Sequence, residues 1–181
     1  VYGTNYSTFA QASIGYQNIQ RFKVVCAAMK NIREAYLIVK IHPYDNDFIL
    51  YENIARNSGL QSYVIKKNVE ILSLLQSCDL LVTHISAISY EAVLMDKDVI
   101  LLSNENDLRS DDVWNFKSYG VAITVNRVEE LEDYMRKLLF DSETKSAFKQ
   151  SRKHYILEHA YKIDGFASER AKEVINNLGR N

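Results

Sequence analysis

Four short and nearly uninterrupted apolar runs constrain the fold of this 181-residue chain more than any other feature. Each has the length of a strand and is rich in β-branched residues, and its apolar side chains follow one another instead of alternating with polar ones. A strand has this pattern when both of its faces are buried, as in a parallel sheet. The runs are Tyr36–Ile41, Asp79–Thr83, Asp98–Ser103 and Gly120–Val125.

Helical patterns separate these runs, and two weaker runs at residues 1–4 and 62–66 predict further strands. Strands that alternate with helices need crossover connections, so the pattern predicts an α/β fold. We expect a doubly wound, parallel, six-stranded sheet of Rossmann-like type, with extra helices at the C-terminal end. Ligands bind such sheets beyond the carboxyl ends of the strands, where the strand order reverses. The predicted helices cover residues 9–32, 47–57, 69–75, 89–95, 128–139, 142–160 and 167–178.

Composition and charge exclude several classes of protein. Hydrophobic residues make up 47% and charged residues 25% of the chain, as in ordinary globular domains. The net charge of −1 provides no general attraction for nucleic acid. No apolar run approaches the ~18 residues of a membrane span. We therefore expect a cytoplasmic protein, in which Cys26 and Cys78 are buried thiols.

The domain organisation follows from the same considerations. Residues 1–181 are predicted to form one domain, and a start inside a strand at Val1 indicates that it is excised from a two-domain protein. The basic segment 145–153 is interpreted as a solvated helix face. Its minor alternative is peripheral contact of the full-length protein with the inner face of a membrane.

A short turn bearing hydroxyl groups follows the Asp79–Thr83 strand and leads into a helix. Exposed amides at the beginning of such a helix favour an anion, and Ser86 and Ser89 could add hydroxyl donors. Glu91 lies farther into the helix, where a carboxylate suits a pair of sugar hydroxyls. The alternative is an N-cap serine followed by a solvated glutamate. The chain has neither a GxGxxG fingerprint nor a P-loop.

Two histidines also follow predicted strands. His42 precedes Pro43, which ends its strand and leaves the imidazole at the carboxyl edge of the sheet, where it could meet a phosphate oxygen. The alternative for His42 is packing against the proline turn. His84 follows the later strand and is equally compatible with facing the cleft or covering the strand end.

The order and spacing of these motifs resemble those of the C-terminal, nucleotide-binding domain of GT-B glycosyltransferases. The motifs are Lys40-Ile-His-Pro43, then residues 79–92 with Ser86, Ser89 and Glu91, then Lys97–Ser103. The most similar types are bacterial capsule and surface-polysaccharide transferases and the glycerophosphotransferases that use CDP-glycerol. The fold of UDP-N-acetylglucosamine 2-epimerase is also similar. His84-Ile85 and Ala87 depart from the glycerophosphotransferase pattern.

The resemblance implies roles for individual residues. His42 would be the catalytic contact to the phosphates, while Ser86, Ser89 and Glu91 would hold phosphates and ribose. The backbone around Ile65 and Lys66 would line the base pocket. The resemblance further implies that Thr4 and Asn5 face the cleft between domains, and His84 is kept as a candidate binding residue.

The resemblance therefore implies the donor-binding half of a glycosyltransferase, acting with a nucleotide-activated sugar or glycerol donor and an N-terminal acceptor domain outside this chain. No Asp-x-Asp motif ends a strand, so we predict no metal and no cofactor. We expect the isolated domain to bind nucleotide weakly and to be inactive. Two alternatives are half of a nucleotide-sugar epimerase and a non-catalytic α/β binding domain.

Overall fold

The computed structural model describes residues 1–4, 12–84, 86–103 and 115–178, and its centre is a parallel sheet of six strands. The strand order is β3-β2-β1-β4-β5-β6, which reverses at β1. This order confirms the predicted doubly wound α/β sheet. The strands are β1 (Tyr2–Gly3), β2 (Leu37–Lys40), β3 (Tyr63–Lys66), β4 (Leu80–Thr83), β5 (Asp98–Leu102) and β6 (Ile123–Val125).

Eight helices are described: α1 (Ala12–Lys30), α2 (Phe48–Asn57), α3 (Ile71–Ser77), α4 (Ala87–Leu94), α5 (Phe116–Tyr119), α6 (Leu131–Phe140), α7 (Ser142–His159) and α8 (Ala167–Leu178). As predicted, α7 and α8 follow the last strand. The short helix α5 was not expected, and Gly120 ends it in the left-handed conformation that glycine adopts easily. None of the helices in these described ranges is both long and apolar enough to cross a membrane.

Helices cover both faces of the sheet, and this explains the uninterrupted apolar strands. In β5, Ile100 and Leu102 pack in one core with α1 and α6, whereas Val99 and Leu101 pack in the other core with α4 and α7. Successive side chains of a strand point to opposite faces, so a strand that is covered twice has no polar face.

A buried ion pair holds α7 against the amino end of β5. Arg152 is 3% exposed, and its guanidinium donates to Asp98 at 2.5 Å and to Asp96 at 2.8 Å. Asp98 is the first residue of β5 and is also buried. This ion pair fixes the amino edge of the sheet. The opposite, carboxyl edge is formed by the strand ends and the loops that follow them.

Candidate functional site

Hydrogen bonds join the carboxyl ends of the three strands at the point where the strand order reverses. The amide of Thr4 donates to the carbonyl of Lys40 at 3.0 Å, and its Oγ1 accepts from the amide of His42 at 2.8 Å. On the other side of β1, Thr83 Oγ1 donates to the carbonyl of Gly3 at 3.0 Å. The ends of β1, β2 and β4 are thus fixed side by side, with Thr4 and His42 at the same edge of the sheet.

Gly3 brings the first turn of α4 over the end of β1. A Cβ atom at Gly3 would lie 3.4 Å from Ile88 Cδ1 and 3.4 Å from Thr83 Oγ1, at the lower limit of ordinary van der Waals contact. Only a very small residue allows this approach. The N-terminal amides of α4, which carry a partial positive charge, consequently lie at the switch point of the sheet.

The two serines at the beginning of α4 differ in their surroundings. Ser86 is the N-cap, but its hydroxyl makes no capping bond. Its Oγ atom is buried and has no hydrogen-bond partner among the described residues. Ser89 is fully buried, and its hydroxyl donates to the Ser86 carbonyl at 2.6 Å. Ser89 therefore shapes the turn instead of presenting its hydroxyl to the cleft, whereas Ser86 retains an unused hydroxyl.

His42 is half-buried, and its surroundings favour the neutral imidazole. Burial lowers its pKa below the usual value, the charge of Lys40 lowers it further, and Asp45 acts in the opposite direction. The amide of Tyr44 donates to Nδ1 at 3.3 Å, so the proton of the neutral ring is on Nε2. His42 thus offers an N–H donor at the carboxyl edge.

Lys40 is a polar residue of this edge that the sequence analysis did not select. It is buried at the end of β2, where its ammonium donates to the carbonyl of Ile41 at 2.8 Å. Its pKa is lowered by burial first and by the neighbouring charge of Lys67 second. Lys66 is its exposed register partner on β3. A lysine inside an otherwise apolar strand was the signal that could have found it.

The remaining predicted site residues lie around this centre with different exposure. His84 is half-buried directly after β4, and Glu91 is half-buried in the second turn of α4. The side chain of Ile65 is buried in the core, so only its backbone reaches the edge. Asn5 lies outside the described residues. Within the described ranges, no group of three His, Cys, Asp or Glu side chains is placed to hold a metal ion.

The strand order and the helical layers define the fold: an α/β domain similar to those of GT-B glycosyltransferases. The calicheamicin glycosyltransferase CalG4 matches with a TM-score of 0.65 at 13% identity, over 99% of this chain and 42% of that one. The spinosyn rhamnosyltransferase SpnG, in complex with thymidine diphosphate, matches with a TM-score of 0.58 at 14% identity, over 85% and 40%. This chain thus spans about two fifths of the length of these glycosyltransferases.

One solved C-terminal domain matches this chain over most of the length of both chains. The C-terminal domain of the group 1 glycosyl transferase LpcC from Francisella tularensis has a TM-score of 0.62 at 16% identity, over 90% of this chain and 86% of that one. The predicted resemblance to a GT-B C-terminal domain is therefore confirmed at the level of the fold.

Part of the chain also matches a sequence family. Residues 17–104, from α1 to the end of β5, match the family of capsule polysaccharide biosynthesis proteins. The matched segment contains His42, Ser86, Ser89 and Glu91. No curated protein matches this chain in sequence.

Proposed function

We propose that this chain is the nucleotide-sugar-binding domain of a two-domain glycosyltransferase of polysaccharide biosynthesis. It holds the activated donor, from which a sugar or glycerophosphate passes to a surface-polysaccharide acceptor on the other domain. The donor diphosphate lies at the switch point, between His42 and the beginning of α4. The nucleoside extends toward the end of β3, over the backbone of Ile65 and Lys66.

The unused hydroxyl of Ser86 is the observation that carries this proposal. Buried polar groups are nearly always hydrogen-bonded, because an unpartnered one costs about 1–3 kcal/mol. Ser86 Oγ is such a group, and it lies at the N-terminus of a helix, above the reversal of strand order. A phosphate oxygen at this corner would satisfy the hydroxyl and the helix amides together.

The chemistry assigned to the domain is electrostatic. Negative charge develops on the departing phosphate as the bond to the transferred group breaks, and fixed donors near that charge lower the barrier. The amides of α4, Ser86 and the Nε2–H of His42 supply such donors. Lys40 and Lys66 add positive charge on the β2 and β3 side of the same edge. Glu91 is assigned to the ribose hydroxyls, and His84 covers the end of β4.

Acceptor deprotonation needs a general base. We assign that base to the missing acceptor domain. The isolated chain is therefore expected to bind nucleotide weakly and to transfer nothing at a measurable rate. Full transferase activity of the isolated chain would contradict this assignment.

Binding of nucleotides to the isolated chain tests the proposal. Thermal unfolding is measured with UDP, CMP, CDP, GDP and thymidine diphosphate, and the dissociation constant of the best ligand is then measured by calorimetry. We expect at least one nucleotide to raise the melting temperature, and Ser86→Ala to weaken its binding about tenfold, as the loss of one charge-assisted hydrogen bond would.

Ser77→Ala is the matched control. Ser77 ends α3, and its hydroxyl donates to carbonyls of its own helix. This variant should bind nucleotide as the native chain does. No shift with any nucleotide would refute nucleotide binding, and an undiminished shift in Ser86→Ala would refute the location of the site.

A further inference from the structure

Asp45 is a buried carboxylate three residues beyond His42, in the loop between β2 and α2. It is 4% exposed, and such a group is retained only when hydrogen bonds or charges compensate its lost hydration. The hydroxyl of Tyr51, on α2, donates to one carboxylate oxygen at 2.9 Å, and the amide of Asp47 donates to the other at 3.0 Å. The carboxylate is thus held from two directions.

The same residue closes the turn that carries His42. The amide of Asp45 donates to the carbonyl of His42 at 2.9 Å, with Pro43 at the second position of the turn. The Tyr44 amide binds Nδ1 of the ring, which directs Nε2 away from the turn. The Asp45 side chain is thus bound to the phenol of Tyr51 and its amide to the carbonyl of His42, while the Tyr44 amide of the same turn holds the His42 ring.

We propose that Asp45 and Tyr51 are positioning residues for His42: the Tyr51–Asp45 bond fastens the turn of residues 42–45 to α2 and so fixes the direction of the imidazole Nε2–H. Only the identity of the ligand that the imidazole binds rests on the proposed function. The arrangement of the turn itself stands on the contacts described above. Tyr51 keeps its proton and acts as the donor, because burial and the neighbouring carboxylate raise the pKa of its phenol.

Charged groups around these hydrogen bonds give Asp45 an electrostatic role as well. The charge of Lys40 on β2 lowers the pKa of His42, and the charge of Asp45 raises it. The guanidinium of Arg21 on α1 and the Asp45 carboxylate both act on the buried phenol of Tyr2 in β1. Lys67, beyond β3, acts on Lys40. Asp45 is thus the negative group that offsets the positive charge of Lys40 at His42.

The test uses Tyr51→Phe and Asp45→Asn, which remove a hydroxyl and a charge with little change of shape. Tyr63→Phe is the matched control, because Tyr63 also donates to a carboxylate of α2, that of Glu52, at 3.1 Å. The His42 ring is followed by NMR titration, with His42→Gln used to assign its signal among the four histidines. Binding of the nucleotide selected by the thermal-shift panel is measured in parallel.

We expect Asp45→Asn to lower the pKa of His42 further, because the charge that opposes Lys40 is removed. Tyr51→Phe should weaken nucleotide binding about fivefold, as the loss of a positioning hydrogen bond would, while Tyr63→Phe leaves the pKa and the binding unchanged. A purely structural role would lower the melting temperatures and leave both measurements at native values, and that result would overturn the proposal.

Nucleotide binding and the NMR titration together distinguish failure of the proposed function from failure of the positioning role. If the native chain binds no nucleotide, the proposed function is refuted, and the NMR titration still decides whether Asp45 acts on His42. If nucleotide binds and neither variant changes the affinity or the pKa, the positioning role alone is refuted.

Discussion

Replacing Ser86 with alanine is expected to leave the free energy of unfolding unchanged or to raise it by as much as about 1 kcal/mol. The usual expectation is the opposite, since an N-cap serine replaced by alanine ordinarily costs ~1 kcal/mol. That cost reflects a hydrogen bond from the first turn of the helix to the serine oxygen. Ser86 makes no such bond, and its buried hydroxyl has no partner among the described residues. Removing the hydroxyl relieves part of the ~1–3 kcal/mol that an unsatisfied buried group costs.

Ser89→Ala provides the contrast. The variant loses the 2.6 Å bond from the Ser89 hydroxyl to the Ser86 carbonyl, which is worth ~0.5–1.5 kcal/mol. The higher helix propensity of alanine returns ~0.5 kcal/mol, so the net expected loss is as much as about 1 kcal/mol. The Ser86 carbonyl is not left unpaired, because it still accepts the Ser89 amide at 2.9 Å.

Urea denaturation of the native chain, both single variants and the double variant, without nucleotide, measures these effects. Because Ser89 binds the backbone and not the side chain of residue 86, the two changes should add within about 0.5 kcal/mol. A loss of about 1 kcal/mol or more in Ser86→Ala would show that this hydroxyl caps α4 in solution. The claim that the Ser86 hydroxyl has no partner in the free chain would then be refuted.

Three further predictions concern other parts of the molecule. Arg152→Ala should lower the free energy of unfolding by ~3–5 kcal/mol in urea denaturation, because it leaves the buried Asp98 carboxylate without its cation. The pKa of His42, followed by NMR, should lie below the usual value of 6.5. Because the unfolded imidazole binds protons more readily, the folded chain should lose stability as the pH falls from about 6.5 toward the lower folded pKa. A bound nucleoside diphosphate should raise the folded pKa. Gly3→Val should weaken nucleotide binding in calorimetry more than Gly3→Ala does, because the larger valine side chain meets Ile88 and displaces the beginning of α4. Equal affinities of the two variants would refute this account of the close approach.

The sheet could be predicted from sequence because burial on two faces leaves a strong pattern. Leu80 and Val82 enter one core and Leu81 enters the other, so the strand is apolar at every one of these positions. Strand order was predicted only as a class, since pairing depends on contacts between distant segments. The helix α5 was not predicted, because a single turn ended by Gly120 is too short to show helical periodicity.

The candidate site was predicted in part, for a related reason. Thr4, His42 and Ser86 lie one to three residues beyond the ends of their strands, so topology alone places them at one edge. The different environments of Ser86 and Ser89 could not be predicted, because both are serines in the same helical turn and only the folded backbone decides which hydroxyl finds a partner. Asp45 was not selected because a loop aspartate looks like a solvated charge until the fold buries it.

Buried polar groups have different surroundings at the two edges of the sheet. At the amino edge, Arg152 and Asp98 are paired at 2.5 Å, so each charge compensates the other. At the carboxyl edge, Lys40 is buried near the like charge of Lys67, and Ser86 Oγ lacks a partner among the described residues. Such an arrangement costs stability in the free chain, and proteins tolerate that cost mainly where a ligand is bound. In the proposed function, the phosphates of the bound donor would offset this cost. Phosphate-bearing ligands should therefore stabilise this domain more than their nucleosides do, whichever base the donor carries.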